Sequence, residues 1–106
     1  MTSFATHAVL SEATRDLPDI HPFAQFISLR LTKDGEVWRD AEGRPSMHAP
    51  GHGDLGPALR KSGLLDAFAE SGGKVLFMSN VDNLAATLDP AMIGFHLQSR
   101  KPLTAE

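Results

Sequence analysis

The sequence predicts an α/β fold in which a buried strand lies at the centre of a parallel sheet with helices on both faces. The segment "KVLFMS", Lys74–Ser79, is largely apolar without alternation, which is typical of a strand buried on both faces. Helical patterns precede and follow this segment, and the order helix, strand, helix is the α/β pattern. The pair Asp34-Gly35 predicts a β-hairpin earlier in the chain.

The first element is predicted to be a helix. Apolar residues recur at three- and four-residue steps from Val9 to Leu17, and Ser3 and Thr6 are candidate caps before them. Pro18 ends the pattern, because the residue before a proline is pushed out of helical geometry.

The next segment is predicted to contain strands. Residues 20–31 carry β-branched and aromatic side chains, but Pro22 restricts this segment to an edge or to an early strand position. The hairpin places Leu31 before the Asp-Gly turn and Val37 after it. Glycines and prolines punctuate Asp40–Pro57, which predicts a long irregular stretch.

Helices are predicted on both sides of the central strand. Apolar residues between 59 and 69 can share one helical face, although Gly63 divides that face into two helices. The glycine pair at 72–73 is expected to close the second of them. After the strand, Asp89 and Pro90 form the N-cap and first position of a last helix.

The composition of the chain excludes several kinds of chemistry and several classes of partner. The 106 residues suffice for one small domain, and the absence of cysteine excludes disulfides and thiolate chemistry. The net charge is −3 without a basic cluster, which argues against nucleic acid or an anionic membrane as partner. Neither a signal-peptide pattern nor eighteen consecutive apolar residues occurs, so we expect a cytoplasmic protein.

A candidate site follows the predicted central strand. In open α/β sheets, ligands lie beyond the carboxyl ends of the strands, and "SNVDN", Ser79–Asn83, begins there. Carboxylate and amide oxygens are ligands that Mg²⁺ accepts together with substrate phosphates. Alternatively, these residues only form a turn and cap the next element. The pattern alone leaves both interpretations open.

The second candidate cluster is "APGHGDLGPAL". Gly51 and Gly53 flank His52 and allow the backbone to approach a ligand closely. A helix beginning near Pro57 would present unpaired N–H groups that favour anions. The alternative, which this pattern alone favours, is a loop-to-helix turn with His52 at an exposed tip and Asp54 as N-cap.

A metal-dependent hydrolase is a further alternative. His48 and His52 are four residues apart, with Asp54 nearby, but the intervening proline and glycine make a shared helix face improbable. Sequences of the types GxGxxG, GxxxxGK[ST] and Gly-x-Ser-x-Gly are absent, so neither a dinucleotide fold, a P-loop nor a serine hydrolase is supported.

The stretch from Pro50 to Pro90 closely resembles the UTP–glucose-1-phosphate uridylyltransferases. Their pattern is a Pro-Gly-His-Gly-Asp turn, a Ser-Gly-x-Leu-Asp helix, a strand and a Ser-Asn-x-Asp-Asn-Leu-Gly-Ala run, matched by "PGHGDL", "SGLLDAF" and "KVLFMSNVDNLAA". Upstream, "MTSFAT" is similar to the family's Met-x-Ser-Phe-x-Thr strand end. "FAQ" is similar to its Phe-Asn-Gln segment, with Gln25 on the glutamine. Ala24 and Ala85 depart from the family pattern.

The resemblance implies a fold, an activity and site residues. The fold would be part of a Rossmann-like three-layer α/β/α nucleotide-diphospho-sugar transferase domain with a β-hairpin insertion. The activity would be Mg²⁺-dependent synthesis of UDP-glucose and pyrophosphate from UTP and glucose 1-phosphate. The implied contacts are Gln25 and Gly51 to the nucleotide, His52 to the sugar-phosphate and α-phosphate region, Asn80 and Val81 to the sugar, and Asp82 to Mg²⁺, with His52 and Asp82 as the catalytic pair.

The resemblance also implies that residues 1–106 are a single segment of a catalytic domain. The family's N-terminal glycine-rich nucleotide loop and its C-terminal parts do not occur in this sequence. We therefore expect little activity from the chain alone, and either a homo-oligomer or the missing remainder of the domain as partner. The alternative is a non-catalytic module that binds a UDP-sugar or another subunit.

Overall fold

The computed structural model describes residues 1–105, which form a mixed structure of helices and short strands. Its elements in chain order are α1 His7–Ala13, β1 Ser28–Leu29, β2 Met47–His48, a 3-10 helix His52–Asp54, α2 Leu55–Lys61, α3 Leu64–Glu70 and α4 Pro90–Ser99. The chain divides into two compact units, Met1–Gly73 and a second that begins at Lys74, and each is described by itself. Within residues 1–105, no helix is long and apolar enough to cross a membrane.

A parallel pairing begins the first unit. Thr2 forms a parallel bridge with Ala24, in which the Thr2 N–H donates to the Phe23 carbonyl at 2.8 Å. The Gln25 N–H donates back to the Thr2 carbonyl at 2.9 Å. The chain then turns into α1. This geometry agrees with the expected strand end at "MTSFAT", and it places Gln25 at the carboxyl end of the pairing.

The buried Thr2 hydroxyl fixes the tautomer of His7. Thr2 Oγ1 donates to the Phe23 carbonyl at 3.0 Å and also lies 2.8 Å from Nδ1 of His7. Because a hydroxyl carries only one proton, His7 Nδ1 must be the donor in the second bond. The imidazole therefore holds its proton on Nδ1, and Thr2, only 7% exposed, is satisfied on both sides.

The predicted hairpin is present. Leu31 bridges Val37 in antiparallel fashion, and the Thr32 N–H donates to the Glu36 carbonyl at 2.8 Å. Gly35 has a φ of 85°, a left-handed conformation that glycine adopts without the steric cost of a Cβ. The Asp-Gly signal thus identified the turn correctly.

A second turn of the same form follows in the stretch predicted to be irregular. The Asp40 N–H donates to the Arg44 carbonyl at 3.0 Å, Gly43 has a φ of 78°, and Arg39 bridges Pro45. The chain then returns as β2, which pairs antiparallel with β1 in the register Ser28 to His48 and Leu29 to Met47. The prediction of an irregular stretch over Asp40–Pro57 is therefore confirmed in part: the stretch is rich in turns, but it also contains β2, the 3-10 helix and the start of α2. The second turn was not predicted, because Glu-Gly is a weaker turn signal than Asp-Gly.

Glycines delimit α2 and α3 as predicted. Gly63 separates them with a φ of 79°. After α3, the Gly73 N–H donates to the Phe68 carbonyl at 2.9 Å and the Gly72 N–H to the Ala69 carbonyl at 3.0 Å. This pair of bonds is a Schellman motif, which satisfies carbonyls at the end of a helix.

The last helix, α4, begins as predicted. The Asp89 side chain accepts a hydrogen bond from the Ala91 N–H at 2.8 Å, and Pro90 occupies the first helical position. Both features agree with the capping pattern in the sequence.

The central strand predicted for Lys74–Ser79 was wrong. The structure has no strand there, and its one sheet among residues 1–105 is the two-stranded β1–β2 pair. Leu76, Phe77 and Met78 are 54%, 51% and 61% exposed. A parallel strand needs hydrogen-bonding neighbours at its edges, and no described segment pairs with this one. The mixed helix and strand content agrees with an α/β class, and the described residues do not confirm the Rossmann-like parallel sheet.

Candidate functional site

Two hydrogen bonds attach the loop that contains His52 to the segment that contains Gln25. The Gln25 side-chain Oε1 accepts from the Gly51 N–H at 2.9 Å. In the opposite sense, the Asp54 carboxylate Oδ2 accepts from the Phe26 N–H at 2.5 Å. The structure therefore brings Gln25 and Gly51, both expected at the nucleotide, into direct contact across 26 residues of sequence.

The Gly51 bond orients the Gln25 amide. Only the oxygen of that amide can accept from an N–H group, so the NH₂ group of Gln25 points away from Gly51 and remains a donor. Gly51 has φ 91° and ψ −155°, a region of backbone conformation that is essentially restricted to glycine. The Gly51 N–H makes one of the two hydrogen bonds that attach the loop. A glycine is therefore needed at this position, because it allows the backbone conformation in which that bond forms.

His52 begins the 3-10 helix and its side chain is exposed. Asp54 stands at the N-cap position of α2 but makes no side-chain capping bond there. The prediction that Asp54 caps the following helix is therefore only half correct. Its carboxylate is used on the Phe26 backbone, 28 residues earlier in the chain.

A cavity of about 620 Å³ adjoins the same loop in the first unit, and the sequence analysis missed it. It is lined by Phe26, Gly56, Pro57, Arg60, Lys61 and Leu65. The Lys61 Nζ lies 4.6 Å from the centroid of the Phe26 ring, within the range of a cation–π contact. Residue 26 precedes β1 and residue 61 ends α2, so no spacing rule could have paired them.

The second unit contains the other predicted site residues. The Asn83 N–H donates to the Asn80 carbonyl at 3.1 Å, which makes 80–83 a turn, and the Leu84 N–H donates to the Asp82 carbonyl at 3.1 Å. Asn80 and Asp82 are exposed, and Val81 is 99% exposed. The residues expected at the sugar and at Mg²⁺ thus lie together on one exposed turn, and their place beside His52 stays a prediction.

The histidine-based metal site loses its support. Within residues 1–105, no three His, Cys, Asp or Glu side chains are grouped closely enough to hold a metal ion. His48 Nδ1 donates to the Ala49 carbonyl at 3.2 Å, and Asp54 is bonded to the Phe26 backbone. The described residues therefore do not bring His48, His52 and Asp54 together as a metal site, and nothing in their arrangement favours the hydrolase alternative.

The comparisons with known proteins agree with the motifs on this loop and turn. The sequence model of the UTP–glucose-1-phosphate uridylyltransferase family matches residues 1–106. The chain belongs to this family. The uridylyltransferase of Encephalitozoon cuniculi is 32% identical over 96 residues, which cover 90% of this chain. Those of Astragalus penduliflorus and Solanum tuberosum are 33% identical over 108 residues and 34% identical over 96, covering 95% and 84% of this chain.

The match covers a small part of each relative. The chain spans 20% of the Encephalitozoon enzyme, 23% of the Astragalus enzyme and 20% of the Solanum enzyme. No solved structure gives a significant match. Membership in the uridylyltransferase family therefore rests on sequence, and the family model covers residues 1–106.

Proposed function

We propose that this chain carries nucleotide and sugar-phosphate contacts of a uridylyltransferase that makes UDP-glucose and pyrophosphate from UTP and glucose 1-phosphate. The supporting observation is the bond between Gln25 Oε1 and the Gly51 N–H. These two residues lie far apart in sequence, and the family resemblance independently assigns both to the nucleotide. A shared base-binding position requires the two residues to be neighbours in space, and this bond supports that requirement.

The reaction needs positioning more than chemistry from side chains. A phosphate oxygen of glucose 1-phosphate attacks the α-phosphorus of UTP in line, the bond to the bridging oxygen breaks, and pyrophosphate leaves. Holding two anionic reactants in line and neutralising the charge between them supplies most of the rate enhancement. In this proposal Gln25 and Gly51 hold the base, His52 donates to phosphate oxygens, and Asn80 and Val81 line the sugar pocket.

Mg²⁺ is part of the proposal. The donor set on the 80–83 turn offers one exposed carboxylate, Asp82, and the amide oxygen of Asn80. Mg²⁺ is commonly held by one or two carboxylates together with substrate phosphates, so one protein carboxylate is a sufficient fit. Asp82 would hold the ion, which when bound neutralises charge between the phosphates.

The chain is proposed to act with further polypeptide. It spans about a fifth of the relatives' length, and the apolar segment 74–79 is exposed and unpaired among the described residues. In this proposal, further uridylyltransferase polypeptide or a second copy of the chain covers this surface. Turnover by the isolated chain is therefore expected to be small.

Binding of UDP-glucose tests the proposal without requiring turnover. Calorimetry on the purified chain should show UDP-glucose binding that strengthens when Mg²⁺ is added. Gln25→Ala should weaken it by about fivefold or more, since one hydrogen bond of about 1 kcal/mol is lost. Gln98→Ala, an exposed glutamine of α4, is the matched control and should bind as the unsubstituted chain does.

Asp82→Asn separates metal binding from base binding. It should abolish the strengthening by Mg²⁺ and leave the metal-free affinity unchanged. An assay of UTP-dependent pyrophosphate release on the same samples distinguishes an enzyme from a binding module. If the chain does not bind UDP-glucose even at millimolar concentration, or if Mg²⁺ acts equally on the Asp82→Asn variant, the corresponding assignment is refuted.

A further inference from the structure

Asp54 has an unusual use for a carboxylate at the start of a helix. An aspartate at the N-cap usually accepts from N–H groups of its own helix, where it also interacts favourably with the helix dipole. In this chain the N-cap of α2 makes no such bond. Its Oδ2 instead accepts from the Phe26 N–H at 2.5 Å, in a partly buried position.

The Phe26 bond and the Gln25 bond form a two-point attachment. Gln25 and Phe26 are adjacent, and their partners Gly51 and Asp54 lie at the two ends of one four-residue turn. In one bond the Gln25 side chain accepts from the backbone of the turn, and in the other the Asp54 side chain of the turn accepts from the Phe26 backbone. Two such bonds define the orientation of the turn against the strand end, whereas either one alone would leave it free to pivot.

We infer that Asp54 is a positioning residue: by holding the Phe26 backbone, it keeps Gly51 against Gln25 and keeps His52 oriented for the nucleotide. This inference rests on the proposed function and adds a residue to it. A bond to an ionised acceptor is shorter and stronger than one between neutral groups, which suits an anchor.

The prediction for binding compares three variants. Asp54→Ala removes the acceptor and should weaken UDP-glucose binding by about tenfold or more. Asp54→Asn retains an oxygen that can accept from Phe26 and should restore most of the affinity. Asp66→Ala removes an exposed carboxylate from α3 and is the control for loss of charge in the same unit.

A spectroscopic measurement tests the positioning without any ligand. In ¹⁵N-labelled protein, Asp54→Ala should shift the Gly51 amide and the Gln25 side-chain amide signals, although the lost carboxylate bonds to the Phe26 N–H and not to either of these groups. Asp54→Asn and Asp66→Ala should leave both close to their original positions. A merely structural capping role would move signals in α2 and leave those of Gly51 and Gln25 in place.

The outcomes separate this inference from the proposed function. If the unsubstituted chain does not bind UDP-glucose but Gly51 shifts in Asp54→Ala, the function fails and the positioning stands. If Gly51 and Gln25 are unmoved, or Asp54→Asn binds as weakly as Asp54→Ala, the positioning is overturned. Should Asp54→Ala not fold, scalar coupling across the Phe26 N–H to Asp54 bond in the unsubstituted chain decides, and its absence overturns the inference.

Discussion

Replacing Gly51 by alanine tests whether the site loop depends on a backbone conformation that only glycine allows. Gly51 has φ 91° and ψ −155°. A Cβ built at this position meets no atom within 4 Å, so crowding contributes nothing to the cost. The penalty is therefore conformational, and residues held in such regions cost about 1–3 kcal/mol. For a chain of this size, with a urea m-value of about 1 kcal/mol/M, the unfolding midpoint should fall by about 1–3 M.

Urea unfolding followed by the fluorescence of Trp38 measures this cost. Trp38 is the chain's one tryptophan and lies in the same unit as Gly51. Gly53→Ala is the matched control, because Gly53 lacks a positive φ and a Cβ there also meets nothing within 4 Å. Gly53→Ala should change the midpoint little. Equal midpoints for the two variants would refute the conformational argument, since only the backbone at residue 51 distinguishes them.

Two further predictions concern other parts of the first unit. Thr2→Val should lower the free energy of unfolding by about 1–3 kcal/mol, because the donor on His7 Nδ1 loses its acceptor on the buried Thr2. A decrease of less than a few tenths of a kcal/mol (about 0.5) in the same urea experiment would contradict this. The pKa of the Asp40 carboxyl is lowered chiefly by the hydrogen bond from the Arg44 backbone, opposed by desolvation. The carboxylate's contribution to the turn is thus present above the ordinary aspartate pKa and is lost as the pH falls through the lowered value. In a pH titration followed by NMR, the chemical shift of the Arg44 amide should change with the lowered pKa of Asp40, because this amide donates to the Asp40 carboxylate. The Glu36 amide is the control: it donates to the Thr32 hydroxyl and should not follow that titration. An Arg44 midpoint at the ordinary aspartate pKa would contradict the assignment.

Local features of the fold were predictable from the sequence. The turn at Asp34-Gly35, the division at Gly63 and the cap at Asp89 each depend on residues only a few positions apart. Such features are determined by backbone conformations and by short-range hydrogen bonds, which the residue type largely decides. The glycine at position 51 belongs to the same class, since its residue type already indicated an unusual backbone.

Other features required the tertiary structure. The pairing of β1 with β2 brings together segments on either side of two turns, and the second turn carried a weaker signal than the first. The segment 74–79 shows the opposite error: its apolar run predicted a central strand, but a strand forms only where neighbours exist to pair with it. An apolar composition shows that a segment could be buried, but whether it forms a strand depends on the segments available to pair with it.

By itself, the sequence determined the division at Gly63, the cap at Asp89, the hairpin turn, the family and the residues to examine, because these depend on residue type and on spacing along the chain. It did not determine the end of α1, which stops at Ala13 and not at Leu17 as the apolar pattern predicted. Only the tertiary structure decided that Gln25 bonds to Gly51, that Asp54 holds Phe26 instead of capping its own helix, and that Lys61 lies over the Phe26 ring. Each of these contacts joins residues more than twenty positions apart. Which distant donor reaches which acceptor depends on how the chain folds back on itself, and no rule of spacing contains that information.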